Sequence, residues 1–320
     1  MTSDYLKNKD TNPETPKCII LMGAFNGEKY ISEQLESIEK QTYSNWELIV
    51  SDDGSSDQTR RILDAFKNKW PSGKLTIVDG PKLGFSANFL TLISDPKIKG
   101  DYFAFCDQDD IWLHDKIQRA IHVLEELKAS NKPLMYCGRR TFVNEALEVL
   151  AYSRYFHFPF IFRNALAQNI APGNTMVIDA KVKKILEITN VPDLPFHDWW
   201  VYLIVTGVGG EVFFDNESKI LYRQHSGALV GGNDSIAQKL QRFKKLLDGN
   251  FIDWKNRNIK ALQQYSFLLN SQAKYELDIY AKTLSSSFFQ RLKYLMRSRI
   301  FRQSVLDTIA IYLTILLKRP

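Results

Sequence analysis

Short apolar runs alternate with amphipathic stretches through the first third of the chain. The run "KCIILMGAFN" is apolar until it ends in small and polar residues, which predicts a buried strand followed by a loop. After it, Ile31, Leu35 and Ile38 recur at spacings of four and three residues, which places them on one helix face. The same order of strand, polar loop, capped helix and strand is then predicted by "NWELIVSDDGSSDQT", "RRILDAFKNK" and "KLTIVDG".

This β-α-β-α order predicts an α/β fold with a single Rossmann-like sheet, mixed but mostly parallel, covered by helices. In such sheets ligands bind outside the carboxyl ends of the strands. Beyond Asn131 the pattern is mixed, and from Ser235 it is typical of helices to the end. We therefore predict a flexible lead over 1–16, one α/β domain over 17–234 and a helical extension over 235–320.

Composition describes a folded protein, because 44% of the 320 residues are hydrophobic and 24% are charged. The net charge of +6 favours anionic partners without choosing among them. Three widely spaced cysteines argue against a disulfide framework and a cysteine zinc site, and they fit a reducing cytoplasm. The polar N-terminus lacks the apolar core of a signal peptide.

The C-terminal segment "VLDTIAIYLTILL" is interrupted by Asp307 and is shorter than the roughly 20 residues of a spanning helix. It follows the basic run "RLKYLMRSRIFRQ". Two interpretations stay open: amphipathic helices in peripheral contact with the inner face of the membrane, or helices that pack on the domain or on a second subunit of a homo-oligomer. Few aromatic residues accompany these basic residues among turns, so we expect no nucleic-acid partner.

The stretch "FAFCDQDDIW" brings Asp107, Asp109 and Asp110 to the end of a buried strand. An isolated buried carboxylate costs several kcal/mol, so such a cluster indicates solvent or a cation. Carboxylates at this spacing are typical ligands of Mg²⁺ or Mn²⁺ with bound phosphates. The alternative is an exposed acidic turn in which Asp110 caps the following helix.

A second acidic loop, "IVSDDGSSD", ends an earlier strand with Asp52 and Asp53. A carboxylate there could accept a hydrogen bond from a pyrimidine N3–H or from ribose hydroxyls, while Gly54 lets the backbone turn closely. Alone, this loop could equally be an ordinary capped loop. The two loops together favour nucleotide binding.

The motifs around these loops, with "LGFSANF", "HDWW" and "YRQHSG", resemble family 2 glycosyltransferases over roughly residues 17 to 232, and more narrowly their rhamnosyltransferase-like members. The resemblance implies the glycosyltransferase A fold, a nucleotide-sugar donor, a Mg²⁺ or Mn²⁺ ion and a glycan or lipid-linked acceptor. It suggests deoxythymidine-diphosphate-rhamnose (dTDP-rhamnose) as donor.

The resemblance also implies residue roles. The residues that it places around the donor are Ala24, Phe25, Asn26, Glu28, Asp52, Asp53, Gly84, Asn88, Asp107 and Arg223. The segment "MGAFN" lacks the proline and tyrosine that are commoner at these positions in the family. For Asn88 the alternative is a structural role at the start of a helix.

Two further roles concern the ion and the chemistry. The resemblance implies Asp109 and His225 as metal ligands, Asp110 as a secondary contact and Asp198 as the general base. The alternatives are that Asp198 caps the helix after it and that His225 is structural. Gly173 and Asn174, in "NIAPGNTMVID", are weaker candidates near the sugar.

The sequence leaves alternative functions open. A metal-dependent nucleotidyltransferase would need the same nucleotide pocket, but the chain lacks a glycine-rich phosphate loop with its lysine near the first strand. A non-catalytic binding protein for polysaccharide assembly is the second alternative. A dinucleotide-dependent oxidoreductase fits poorly, because no G-x-G-x-x-G follows the first strand.

Overall fold

The computed structural model describes residues 15–189, 193–224 and 250–317. The strands there are β1 (Cys18–Ala24), β2 (Trp46–Asp52), β3 (Leu75–Asp79), β4 (Tyr102–Asp107), β5 (Ile111–Trp112), β6 (Leu134–Gly138), β7 (Thr141–Val143), β8 (Val149–Tyr152), β9 (Val177–Asp179), β10 (Glu211–Asp215) and β11 (Ile220–Arg223).

The helices are α1 (Ile31–Glu39), α2 (Thr59–Lys69), α3 (Phe85–Ser94), α4 (Lys116–Leu127), α5 (Phe162–Ala165), α6 (Ala180–Ile188), α7 (His197–Gly207), α8 (Asn250–Gln264), α9 (Ser271–Ser285), α10 (Phe288–Ser298) and α11 (Val305–Leu317). No helix within the described ranges is long and apolar enough to cross a membrane.

The main sheet has seven strands in the order β10-β6-β9-β4-β1-β2-β3. Strand β1 pairs in parallel with β2 and β4, while β9 runs antiparallel between β4 and β6. The helices that follow β1, β2 and β3 return the chain to the same end of the sheet, which is why these neighbours are parallel. The prediction of a mixed, mostly parallel sheet is confirmed.

A smaller sheet in the order β5-β11-β7-β8 lies beside the second acidic loop. The two-residue strand β5 directly follows that loop and pairs antiparallel with β11, which itself pairs in parallel with β7. Through this sheet, Arg140, just before β7, comes beside β11, and Arg223 at the end of β11 reaches the Asp109 carbonyl after β4.

The core lies on both faces of the main sheet, because successive side chains of β1 alternate between them. Ile19 and Leu21 pack in one hydrophobic cluster, and Ile20 and Met22 pack in the other. The C-terminal helices α8 to α11 join the first cluster together with α7. The helical character predicted for the C-terminal region is thus found in α8–α11, whereas residues 225–249 lie outside the described residues.

Candidate functional site

The carboxyl ends of β1, β2 and β4 meet at one edge of the main sheet. Parallel pairing places Ala24 beside Asp52, and Gly23 beside Asp107. The Asp53 N–H donates to the Ala24 carbonyl at 2.8 Å. The two acidic loops predicted from the sequence therefore flank the end of the same strand.

The first acidic loop is held by backbone donors. Asp52 Oδ1 accepts the Ser55 N–H at 2.9 Å. The two oxygens of Asp53 accept the Lys82 N–H at 2.6 Å and the Gly84 N–H at 2.8 Å. Gly84 precedes α3 and has a φ of 89°, a backbone conformation that favours glycine. The carboxylates of this loop are thus already satisfied by the protein, and their donor contacts stay predictions.

The loop after β1 is tied to the first acidic loop. Asn26 Oδ1 accepts the Ser56 N–H at 2.9 Å, and Glu28 Oε2 accepts the Gln58 N–H at 2.8 Å. The Phe25 side chain is 56% exposed, so its ring is available for a base to stack on. Through these bonds Asn26 and Glu28 hold the two loops together. Phe25 is exposed, as its predicted place beside the donor requires.

Asn88 is buried at 1% exposure. Its Nδ2 donates to the Ser51 carbonyl at 2.9 Å, and its Oδ1 accepts the Ser51 hydroxyl. These bonds join α3 to the end of β2. In this arrangement Asn88 acts on the strand end that carries Asp52, and a direct donor contact stays a prediction.

The second acidic loop meets Asp198 to form what we call the carboxylate cluster: Asp107, Asp109, Asp110 and Asp198. Burial, followed by the charges of Asp109 and Asp198, raises the pKa of the Asp107 carboxyl to about 7. Burial and the charges of Asp107 and Asp109 likewise raise the pKa of Asp110 well above its usual value. The cluster is therefore short of positive charge.

Asp110 does not cap the following helix, so this alternative from the sequence is wrong. Strand β5 intervenes, and Asp115 is the residue that precedes α4. Asp110 is 1% exposed and accepts a hydrogen bond from Asn174 Nδ2 at 2.6 Å. The weaker candidate Asn174 thereby gains a defined contact in the carboxylate cluster.

Asp198 lies in the first turn of α7. Its Oδ2 accepts the Gly173 N–H at 3.1 Å, and its Oδ1 accepts the Trp199 N–H at 2.6 Å. Burial raises the pKa of Asp198, although these two N–H groups act in the opposite direction. A partly buried carboxylate with a raised pKa has the character of a general base, while the bond to Trp199 also satisfies a donor at the helix start.

Arg223, which the resemblance places around the donor, is buried and hydrogen-bonded within the protein. Its Nη2 donates to Glu33 Oε2 at 2.7 Å, its Nη1 donates to the Glu145 carbonyl at 2.8 Å, and its Nε donates to the Asp109 carbonyl at 3.3 Å. The guanidinium thus fastens α1 to the second acidic loop. The predicted metal ligand His225 lies outside the described residues.

Three residues near the cluster were not recognised from the sequence. Gln108 exchanges two hydrogen bonds of 2.9 Å with the backbone of Phe25 and so joins the loops after β1 and β4. Lys116 is buried with its Nζ 3.5 Å from the Trp112 ring centroid, and burial lowers its pKa to about 8. Arg140 lowers the pKa of Asp107, Asp110 and Asp198. The sequence shows Arg140 as a basic residue, but its position near the carboxylate cluster depends on the long-range pairing of the small sheet.

The donor set suits a hard divalent cation. Within the described residues no three histidine, cysteine or acidic side chains converge as a complete cation cage. Magnesium usually takes one or two carboxylates together with substrate phosphates, and Asp107 and Asp109 supply oxygens of that kind. A cation there would also relieve the repulsion that raises the pKa of Asp107.

Fold and site together define an α/β protein with two acidic loops and a separate candidate base at the carboxyl edge of its sheet. The family model of glycosyl transferase family 2 matches residues 19–181. The chain belongs to this family, which confirms the resemblance read from the motifs.

Individual relatives support this placement. The chain is 31% identical over 266 residues to the dTDP-rhamnosyl transferase RfbG of Shigella flexneri, covering 79% of this chain and 88% of that protein. It is also 31% identical over 188 residues to the UDP-Glc:alpha-D-GlcNAc-diphosphoundecaprenol beta-1,3-glucosyltransferase WfgD of Escherichia coli, covering 58% of this chain and 68% of WfgD. Residues 1–349 of S. aureus TarS, solved in complex with UDP, align over 92% of this chain and 86% of that one, with a TM-score of 0.53 and 14% identity. This last likeness concerns the fold, and the predicted glycosyltransferase A fold is confirmed.

Proposed function

We propose that this chain is a metal-dependent, inverting glycosyltransferase that moves rhamnose from dTDP-rhamnose to a hydroxyl group of a cell-surface glycan or lipid-linked acceptor. The observation that carries the proposal is the meeting of Asp198 from α7 with Asp107 from β4, close enough for the charge of Asp198 to raise the pKa of Asp107. A candidate base thus lies beside the carboxylates predicted to serve the donor. The similarity to RfbG supports the choice of donor.

In the proposed reaction, the acceptor hydroxyl oxygen attacks the anomeric carbon while Asp198 takes its proton. The bond between that carbon and the diphosphate oxygen breaks, and its electron pair leaves with the nucleoside diphosphate. A single displacement inverts the anomeric centre. The N–H groups of Gly173 and Trp199 fix the orientation of the Asp198 carboxylate during this step.

Asp109 and His225, the implied metal ligands, would hold Mg²⁺ or Mn²⁺, and we propose Asp107, implied as a donor contact, as a further ligand. Such an ion supplies charge neutralisation for the departing diphosphate. For this role we expect Asp109→Ala to abolish transfer while the protein stays folded, and a chelator to do the same to the wild type. Full activity in the presence of a chelator would contradict the metal requirement.

The donor can be tested with a panel of nucleotide sugars and the purified protein in Mn²⁺. We expect dTDP-rhamnose to raise the melting temperature and to be hydrolysed, whereas UDP-glucose, the donor in the name of WfgD, has little effect. A response to uridine-diphosphate sugars alone would refute the rhamnose assignment. Release of pyrophosphate would instead indicate a nucleotidyltransferase, and tight binding without turnover would indicate a binding protein.

We also propose that α10 and the start of α11 bind the anionic inner face of the membrane, which places the enzyme in the cytoplasm as a peripheral protein. On α10, the exposed apolar side chains Phe289 and Met296 alternate with the exposed basic residues Lys293 and Arg297. No acidic residue occurs between positions 285 and 306. An apolar stripe flanked by cations matches the chemistry of an anionic lipid surface.

Vesicle sedimentation tests this contact. We expect binding to phosphatidylglycerol vesicles that salt weakens, little binding to phosphatidylcholine vesicles, and a loss of binding in Phe289→Ser. Tyr275→Ser is a matched control, because Tyr275 is an exposed aromatic residue on α9. If Phe289→Ser instead converted a dimer to a monomer without changing vesicle binding, this face would be a subunit contact.

A further inference from the structure

Two adjacent arginines precede β7, and within the described residues only Arg139 has hydrogen-bond partners for its guanidinium. Arg139 Nε donates to the Ser153 carbonyl at 2.9 Å, and its Nη1 donates to Asn216 Oδ1 at 3.0 Å. The Arg140 guanidinium makes no hydrogen bond or ion pair within the described part of the chain, although its Nε is buried. A buried donor without a partner costs about 1–3 kcal/mol, so an uncommitted guanidinium at a ligand site calls for an acceptor.

Two aromatic rings of the small sheet position Arg140. Its Cζ lies 4.6 Å from the Tyr222 ring centroid and 5.5 Å from the Phe142 ring centroid. Contact with ring faces restrains a guanidinium plane and strips water from it without consuming its N–H donors. Arg140 is therefore held in place by rings that use none of its guanidinium N–H donors, which find no acceptor among the described residues.

Arg140 is brought toward the carboxylate cluster by strand pairing, because its ring partner Tyr222 follows Leu221, which pairs with Ile111, the residue after Asp110. The charge of Arg140 lowers the pKa of Asp107, Asp110 and Asp198, although it forms no ion pair with any of them. The strand pairing and the effect on the pKa of these carboxylates together put the Arg140 charge near the side chains predicted to contact the donor. Arg223, in contrast, donates its N–H groups to Glu33, Glu145 and Asp109.

We propose that Arg140, rather than Arg223, is the guanidinium that binds the diphosphate of the nucleotide-sugar donor. The inference rests on the proposed donor class. The planar guanidinium of Arg140 can donate two parallel N–H hydrogen bonds to phosphate oxygens. As the bond from the anomeric carbon to the diphosphate oxygen breaks, the electron pair remains on the diphosphate, where Arg140 stabilises the added charge.

Calorimetry on the full-length protein tests the proposal, with dTDP and thymidine as probes at constant Mn²⁺. We expect Arg140→Gln to weaken dTDP binding about 10- to 100-fold, as for the loss of a hydrogen-bonded charge, and to leave thymidine binding unchanged. Arg140→Lys keeps the charge but not the fork, so its affinity for dTDP should fall between the two. Arg139→Gln is the matched control and should change dTDP affinity less than about 3-fold.

The outcomes separate this proposal from the one on which it rests. If wild-type protein binds dTDP and Arg140→Gln binds it equally well, Arg140 has no role at the diphosphate and the proposed function stands. An equal loss of thymidine and dTDP binding would also overturn the proposal, because it would show general damage to the pocket. If the wild type binds neither dTDP nor dTDP-rhamnose, the donor assignment itself is wrong.

Discussion

The two acidic regions at the edge of the sheet differ in how their charges are met. At the end of β2, Asp53 accepts two backbone N–H groups, and Asp52 accepts a third. In the carboxylate cluster, burial and mutual repulsion raise the pKa of Asp107 and Asp110. The two strings of aspartates therefore differ: backbone N–H groups satisfy the carboxylates of the first loop, whereas burial and repulsion leave Asp107 and Asp110 of the second loop with a raised pKa.

The difference follows from the backbone around each loop. The β2 loop is followed by turns that direct N–H groups at the carboxylates, and Gly84, with its positive φ, is part of this arrangement. The β4 loop runs directly into β5, whose N–H groups are used by the small sheet or by Ser37. Few backbone donors are left for its carboxylates. A site with unmet charge is the better candidate for ligand chemistry.

The largest effect is expected for Asp198→Asn, which keeps the shape of the side chain but removes its ability to take a proton. Transfer should fall about 10²- to 10⁴-fold, the range for loss of a general base, with donor binding preserved. Steady-state assays with dTDP-rhamnose would separate kcat from KM. Asp193→Asn is the control, since Asp193 is an exposed neighbour on the same segment. Undiminished kcat would show that Asp198 acts only at the helix start.

Asp53→Ala should break the first loop and destabilise the fold. The Lys82 and Gly84 N–H groups would lose their charged acceptor, which we expect to cost about 2–4 kcal/mol of unfolding free energy. Urea unfolding measures this loss. Asp64→Ala, on the exposed side of α2, should change it by less than about 0.5 kcal/mol. Equal effects of the two substitutions would mean that the first loop is not held by Asp53.

Asp107→Asn should act in the opposite direction and stabilise the ligand-free protein at pH 8. The folded-state pKa of Asp107 is raised from 3.8 to about 7, so the folded state binds more protons than the unfolded state between these values. The unfolding free energy of the wild type therefore falls as the pH rises through this window. The variant lacks this titration, so at pH 8 its unfolding free energy should exceed that of the wild type by about 1 kcal/mol or more. Unfolding at pH 5 and pH 8 provides the comparison. A difference between the proteins that is the same at both pH values would contradict this explanation.

Much of the site could be predicted from the sequence, because its strands are short apolar runs and follow one another closely along the chain. The ends of β1, β2 and β4 were placed by their hydrophobic runs, and the parallel order put their loops on one edge. The environment of Asp110 could not be predicted, because the two-residue β5 is defined by pairing with β11, far along the chain. The hydrogen bonds of Arg223 and the ring contacts of Arg140 depend on the same small sheet. Local patterns locate charged residues, whereas long-range pairing decides which charges are already satisfied.

The most direct test of the charge shortage in the carboxylate cluster is a count of protons. Calorimetric titration of Mn²⁺ with dTDP at pH 6.5, in two buffers of different ionisation enthalpy, gives the number of protons released on binding. The wild type should release more protons than Asp107→Asn, because the cation and the protonated form of Asp107 exclude each other. Equal proton release by the two proteins, with equal affinity, would contradict the view that a proton or a cation completes this cluster.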